Sequence, residues 1–241
     1  MRRIGLLIAV GVVLGFAPQM DAADLNWTAW TTITTGSAGS ASGTVAGGSG
    51  PISVTYAGDV HTASQTDASG TNYWVLPSTY SFTSGNLTIN PPPGVGIITS
   101  LGGTATTYTI TFSEPVTNPV LAIASLGNTT GGGSRDYNFD QPFTLLKAGV
   151  GFFNGDATTL TQPTGSILRG SEGNGLIQFT GTLSTISWTN PVAETWSGFT
   201  VGVAPVPEPS IVMITLASIT GLAGLQWKRR VTSPQSKQGV D

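Results

Sequence analysis

The residue types that carry most enzyme chemistry are sparse in this chain. Histidine occurs once, as His61 in GDVHTASQ, and cysteine does not occur at all. A Ser-His-acid triad would have to be built on His61, and an HExxH zinc site needs two histidines. Thiolate nucleophiles, disulfides and Cys-based zinc sites are excluded outright. A lone histidine at a strand end reads as a surface residue. Carboxylate pairs of the kind that hydrolyse glycosides are easy to find by chance among nine acidic residues between positions 24 and 203, but their separation in space decides that chemistry. No catalytic residue is assigned, and the chain reads as a non-enzyme.

Two constellations could bind rather than react. In RDYNFDQP, Asp136, Asn138 and Asp140 alternate. On a strand that spacing aims three oxygen ligands at one face, and calcium takes roughly six to eight such oxygens. The competing reading puts Tyr137 and Phe139 in the core and leaves the three polar residues facing water. The stretch lacks the Gly and the later bidentate Glu of an EF-hand loop. Calcium is therefore the one candidate cofactor, and otherwise none is implied. Aromatic side chains on a β surface can stack on sugars; Trp27 and Trp30, in NWTAW, are the candidate carbohydrate-binding residues, while Trp188 and Trp196 read as core. Thr107, Thr109 and Thr111 share one face of TTYTITF, an arrangement an ice-binding surface would need, but one strand makes only a small patch and no fixed-period repeat enlarges it.

The elements that must position these residues are strands. Between Gly, Pro, Asn and Ser punctuation run PISVTYAGDV (51–60), TYSFTSGNLTI (79–89), TTYTITF (106–112), NPVLAIASLG (118–127), YNFDQPFTLLK (137–147), GLIQFTG (175–181), STISWT (184–189) and WSGFTVGV (196–203). In TTYTITF the alternation puts Tyr108, Ile110 and Phe112 on one face. VLAIASL is nearly all apolar, which predicts a strand covered on both sides. No stretch long enough for crossover helices is visible between positions 24 and 203. The expected class is all-β, an antiparallel two-sheet sandwich of jelly-roll or immunoglobulin-like type, with an N-terminal signal helix and a C-terminal transmembrane helix. Two low-complexity runs, TTGSAGSASGTVAGGSGP (34–51) and NTTGGGSR (128–135), predict a flexible or loosely paired segment and an exposed loop. The glycines of the second run lack the Lys-Ser/Thr and following helix of a phosphate-binding loop.

Charge excludes one class of partner. Charged residues are 9% of the chain, and between positions 24 and 203 three basic residues against nine acidic ones leave a net charge of −6. Phosphate backbones repel such a surface, so no nucleic acid is expected as a partner.

The two ends predict the route. Arg2 and Arg3 precede the apolar run Ile4–Phe16, and Ala22 and Ala23 offer a cleavage site, so residues 1–23 read as a secretory signal. Residues 24–203 form the β domain and 204–209 a Pro-rich linker. Residues 210–227 carry no charge and would span about 27 Å as a helix, close to the thickness of a bilayer's hydrocarbon. Lys228, Arg229 and Arg230 then serve as stop-transfer charges that hold the tail 228–241 in the cytoplasm. Pro205, Pro207 and Pro209 keep APVPEPS extended and reachable.

The order Pro207-Glu208-Pro209, apolar helix, arginine-containing cluster resembles the C-terminal signal of the PEP-CTERM proteins of Gram-negative bacteria, a tail also labelled an ice-binding protein C-terminal domain. The resemblance covers about 25 residues of the tail, and the chain runs on through VTSPQSKQGVD (231–241), where family members usually stop sooner. It implies that Pro207, Glu208 and Pro209 form the sorting motif, recognised by an exosortase-like processing enzyme at the inner membrane. It also implies a protein that is membrane-anchored before processing, then at the cell surface or extracellular, in association with exopolysaccharide. The function expected is that of an exported non-enzymatic surface or matrix protein; the alternative is a secreted carbohydrate-binding module or carbohydrate-active enzyme.

Overall fold

A computed structural model describes residues 23–48, 50–85, 87–103, 106–129 and 133–205. The signal segment up to residue 22, the sorting motif Pro207, Glu208 and Pro209, the segment 210–227 and the basic residues Lys228, Arg229 and Arg230 lie outside the described residues. Among the described residues no helix is long and apolar enough to cross a membrane.

The chain is all-β. In order, the strands are β1 (Ala23–Asp24), β2 (Asn26–Trp27), β3 (Ala29–Thr34), β4 (Gly36–Ala46), β5 (Pro51–Val60), β6 (Phe82–Ser84), β7 (Leu87–Ile89), β8 (Ile98–Ser100) and β9 (Thr107–Thr117). They continue as β10 (Val120–Leu126), β11 (Arg135–Phe139), β12 (Phe143–Gly149), β13 (Leu160–Thr164), β14 (Ile167–Gly170), β15 (Gly173–Phe179), β16 (Thr182–Thr189) and β17 (Ser197–Val203). A long sheet has the order β13-β14-β11-β16-β9-β5-β4-β3, and a second runs β12-β15-β10-β17-β2 with β8 also on β17. Both are antiparallel throughout. A small third sheet, β1-β7-β6, contains the one parallel pair among the described strands, β1 with β7.

Alternation decides which side chains go inside. Along β9, Tyr108, Ile110 and Phe112 are buried, and their neighbours across the long sheet, Tyr56 and Val54 on β5 and Ile186 and Trp188 on β16, point the same way. These residues meet Leu121 and Ile123 of β10, Ile177 and Phe179 of β15 and Phe199 and Val201 of β17, so the two large sheets share one core. Each large apolar side chain buried there contributes about 1.5–3 kcal/mol relative to exposure. The other face of the second sheet is also covered. Val120, Ala122 and Ala124 of β10 and Leu176 of β15 pack against Trp74, Tyr80, Ile89 and Ile97. That explains why VLAIASL is nearly all apolar: all seven residues of β10 are buried, as expected for a strand with layers on both sides.

The Gly/Ser/Ala run does not behave as its composition predicts. Far from being loosely paired, it supplies β4, hydrogen-bonded to β3 on one side and β5 on the other. Its alternation explains the difference, because Ala41, Gly43 and Val45 face in while Ser40, Ser42 and Thr44 face out. Gly43 is required there, since a Cβ would stand 2.3 Å from the Ala29 carbonyl oxygen. The run orders because its neighbours bury it, not through any propensity of its own.

Candidate functional site

The nominated residues do not converge. Trp30 is buried, 1% exposed, with its indole Nε1–H donated to Thr200 Oγ1 at 3.0 Å, so it presents no ring face to a sugar. Its place on β3 beside β4 forces it inward, which corrects its assignment as a carbohydrate-binding residue. Trp27 belongs to the other side of the second sheet: half-buried, it donates Nε1–H to the Asn90 carbonyl at 2.8 Å. With Asp67, Pro92, Pro93 and Gly94 it lines a cleft of about 290 Å³. His61 stands at the end of β5, where its Nδ1 accepts the Ala63 amide at 3.3 Å.

The proposed calcium ligands also separate. Asp136 and Asn138 share the outer side of β11 while Tyr137 and Phe139 are buried, but the strand stops at Phe139 and Asp140 lies in the following turn. Asp136 faces Arg169 across β14, and the guanidinium grips its carboxylate with two hydrogen bonds of 2.8 and 2.7 Å. A fixed cation in that place opposes a second one. Among the described residues no group of three or more His, Cys, Asp or Glu side chains is arranged to hold a metal.

The outer face of the long sheet carries a feature that single-strand reading missed. Thr32 stands opposite Ser42, Ser42 opposite Thr55, Thr55 opposite Thr111 and Thr111 opposite Thr185. Two positions along, Thr34, Ser40, Ala57, Thr109 and Ser187 form a second row across the same five strands. Neither row contains a charge. The rows repeat at about 4.8 Å across strands and about 6.7 Å along them. Hydroxyls bond laterally, Thr32 Oγ1 to Ser42 Oγ at 2.7 Å and Thr109 Oγ1 to Ser187 Oγ at 3.2 Å. Each still has capacity left for an outside partner. A shallow groove of about 440 Å³ lies over this array.

A second feature sits on the loops that meet near Trp196. Gly151 and Asn154 exchange backbone hydrogen bonds of 2.8 and 3.1 Å, which places Phe152 and Phe153 at the tip of a tight turn. They are 42% and 39% exposed. Their rings join Tyr73 and Trp196 in a cluster with centroid separations of 4.9 Å (Tyr73–Phe152), 5.1 Å (Phe153–Trp196) and 4.8 Å (Tyr73–Trp196). The left-handed backbone that closes the turn falls on Asn154 and Gly155, residue types that tolerate it. The sequence signal was the pair of adjacent phenylalanines between turn residues in GVGFFNGD.

Buried polar groups hold these loops. Asn174, with no exposure, accepts the Ser125 amide at 2.8 Å and donates to the Asn154 and Glu172 carbonyls at 3.0 and 2.7 Å. Ser125 Oγ donates to the Glu172 carboxylate as well. Ser125, Asn154 and Glu172 are three of the five described non-glycine residues with left-handed backbone, and all three are tied to this one amide side chain. Sparsely populated backbone of this sort persists only where surrounding contacts over-determine it. Nearby, Glu194 accepts the Gly127 amide at 2.7 Å and the Asn190 side chain at 3.4 Å.

Burial pushes the Glu194 carboxyl up from its ordinary 4.5 to about 7, against the lowering pull of Ser197, Gly127, Asn190 and the Arg135 charge. Between those two values the folded state holds a proton that the unfolded chain has lost. The stability tied to Glu194 is therefore complete below about pH 4.5 and falls as pH rises to about 7. The loss is on the order of 2–3 kcal/mol. Denaturant midpoints across that range should fall with rising pH, and the slope should flatten in Glu194→Gln; an unchanged slope in the variant would assign the dependence elsewhere.

None of the family models, curated proteins or solved structures compared with the chain matches it.

Proposed function

We propose that the chain is an exported, non-enzymatic protein of the cell surface or extracellular matrix, sorted by its PEP-CTERM-like tail and associated with exopolysaccharide. In this reading the two large antiparallel sheets form a β-sandwich of jelly-roll or immunoglobulin-like type, released outside the cell after an exosortase-like enzyme at the inner membrane acts at Pro207, Glu208 and Pro209. The observation that carries it is the uncharged hydroxyl array across five strands of the long sheet. Methyl and hydroxyl groups at a regular spacing suit the alternating C–H and O–H surface of a polysaccharide, and the absence of charge leaves nothing that an acidic or neutral chain would have to desolvate unpaired.

Fractionation of the producing cells tests the reading. The wild-type protein is expected in the matrix fraction, bound to polysaccharide, at a mass reduced by loss of both ends. Replacing Pro207, Glu208 and Pro209 with Ala should hold it at the membrane at higher mass. Unchanged mass and location in that variant would remove the sorting role, and release of reducing ends from the matrix polysaccharide by the purified protein would favour the carbohydrate-active enzyme instead.

A further inference from the structure

We infer that Tyr73, Phe152, Phe153 and Trp196 form a sugar-stacking platform that takes the C–H faces of uncharged pyranose rings. The inference rests on the polysaccharide association proposed above and adds to it a second, compact site, separate from the hydroxyl array.

Exposed aromatic clusters are uncommon on soluble surfaces and mark contact sites. Here two phenylalanines are held at a turn tip at about two-fifths exposure, although the fold has two cores in which to bury them. The four rings meet mostly at tilted and edge-to-face angles, with Tyr73–Phe152 at 68°, Phe152–Phe153 at 74° and Phe153–Trp196 at 66°, while Tyr73 and Phe153 stand near parallel at 28° with centroids 6.0 Å apart. Such packing fixes the rings while Phe152 and Phe153 stay about two-fifths exposed over the partly buried Tyr73 and Trp196, and the electron-rich face of an aromatic ring attracts polarised C–H groups.

The support is preorganised. Asn174 pins the turn through the Asn154 carbonyl, and a Cβ on Gly151 would stand 2.1 Å from the Asn174 side-chain oxygen, so the base of the turn is packed tightly against that amide. On the other side Thr79 Oγ1 donates to the Val150 carbonyl at 2.7 Å. After the turn, Asp156 Oδ1 accepts both the amide and the hydroxyl of Thr158 at 2.6 Å. Weak ligands such as sugars gain most from a site that loses little freedom on binding.

Charge selects the ligand class. Asp156 follows the turn and the Glu172 carbonyl bonds the same Asn174 that holds it, while the Arg135 guanidinium is engaged with the Ala193, Gly133 and Ser134 carbonyls. A net acidic surround disfavours anionic lipid headgroups, which recruit clustered Lys and Arg. Position points the same way. Trp196 precedes β17 and Pro205 follows it, so the platform stands at the opposite end of that strand from the linker, roughly 20 Å away. Before processing, while the C-terminal segment still tethers the chain, the platform is held away from the tether.

The test uses the exported protein and three soluble probes: dextran, mixed-linkage β-glucan and, as a charged control, alginate. Binding is read by affinity electrophoresis and by tryptophan fluorescence. The wild type should bind at least one neutral glucan more tightly than alginate, and Phe152→Ala/Phe153→Ala should weaken that binding at least ten-fold with an unchanged melting temperature. Phe152→Tyr/Phe153→Tyr, which keeps both rings, should restore it. Equal glucan binding by wild type and the double alanine variant would overturn the platform while leaving the matrix reading standing. A wild type that binds no glucan overturns the platform too. So does concentration-dependent self-association that the alanine pair abolishes, because the rings would then serve a second copy of the chain.

Discussion

Asn174→Ala is expected to destabilise the protein by about 2–4 kcal/mol, a large effect for a single polar substitution. The side chain is fully buried and satisfies the Ser125 amide and the Asn154 and Glu172 carbonyls together. Truncation leaves the Ser125 amide without this acceptor and takes one of two donors from the Asn154 and Glu172 carbonyls, which keep the Gly151 amide and the Thr159 hydroxyl; a buried group left unpaired costs about 1–3 kcal/mol. It also frees three left-handed residues whose backbone is held by those bonds. Asn174→Asp separates the two halves of the role. The carboxylate can still accept from Ser125 but cannot donate to the two carbonyls, and it would lie close to Glu172. It should cost at least as much as alanine at pH 7 and recover part of the loss at low pH. Denaturant unfolding at pH 7 and pH 5 measures both. A cost below about 1 kcal/mol for Asn174→Ala would mean that the loops hold themselves and that the turn bearing Phe152 and Phe153 is not preorganised by this amide.

How much of this was legible depends on the scale at which the information is written. Strand identity is local, and PISVTYAGDV, TTYTITF, VLAIASL and STISWT announce themselves through alternation or unbroken apolar character. The layer that covers both faces of β10 is local in the same sense, because a nearly all-apolar strand has nowhere else to go. What could not be read is anything set by register. Thr107, Thr109 and Thr111 were visible as one row, yet whether Ser42, Thr55 and Thr185 stand beside Thr111 depends on which strands pair and at what offset. The same limit hid β4. Glycine, serine and alanine have low strand propensity, and only the neighbours on both sides make that run ordered.

The site residues followed the same division. Asp136 and Asn138 were correctly placed on one face by their spacing, but Arg169, thirty-three residues on, claims the carboxylate across a strand pairing that no local pattern encodes. Trp30 looked exposed because it lies early in the chain; one residue of alternation relative to β4 turned it inward. Asn174, in the unremarked stretch EGNGL, matters only because Ser125 and Asn154 converge on it from distant segments. Fold class is thus a property of short windows here, whereas the hydroxyl array and the aromatic cluster are products of assembly.

Trp188→Ala should cost about 3–5 kcal/mol, the range for emptying a large aromatic site in a packed core. The indole lies on β16 at 2% exposure, within 5.1 Å of the Phe199 ring and between 5.6 and 6.0 Å of those of Phe139, Tyr108, Tyr137 and Tyr56. It therefore bridges the long sheet, through Tyr56, Tyr108, Tyr137 and Phe139, to the second sheet, through Phe199. Its Nε1–H has no protein partner although the atom is buried, so this tryptophan supplies packing at the expense of an orphaned donor. Trp188→Phe removes that donor along with part of the ring. Loss of volume destabilises and loss of the orphan stabilises, so phenylalanine is expected to cost only about 1–2 kcal/mol. Urea unfolding of the two variants decides the matter. A large cost for alanine with a small one for phenylalanine identifies the residue as a space-filling bridge between sheets, and equal large costs would show that the indole nitrogen has a partner after all.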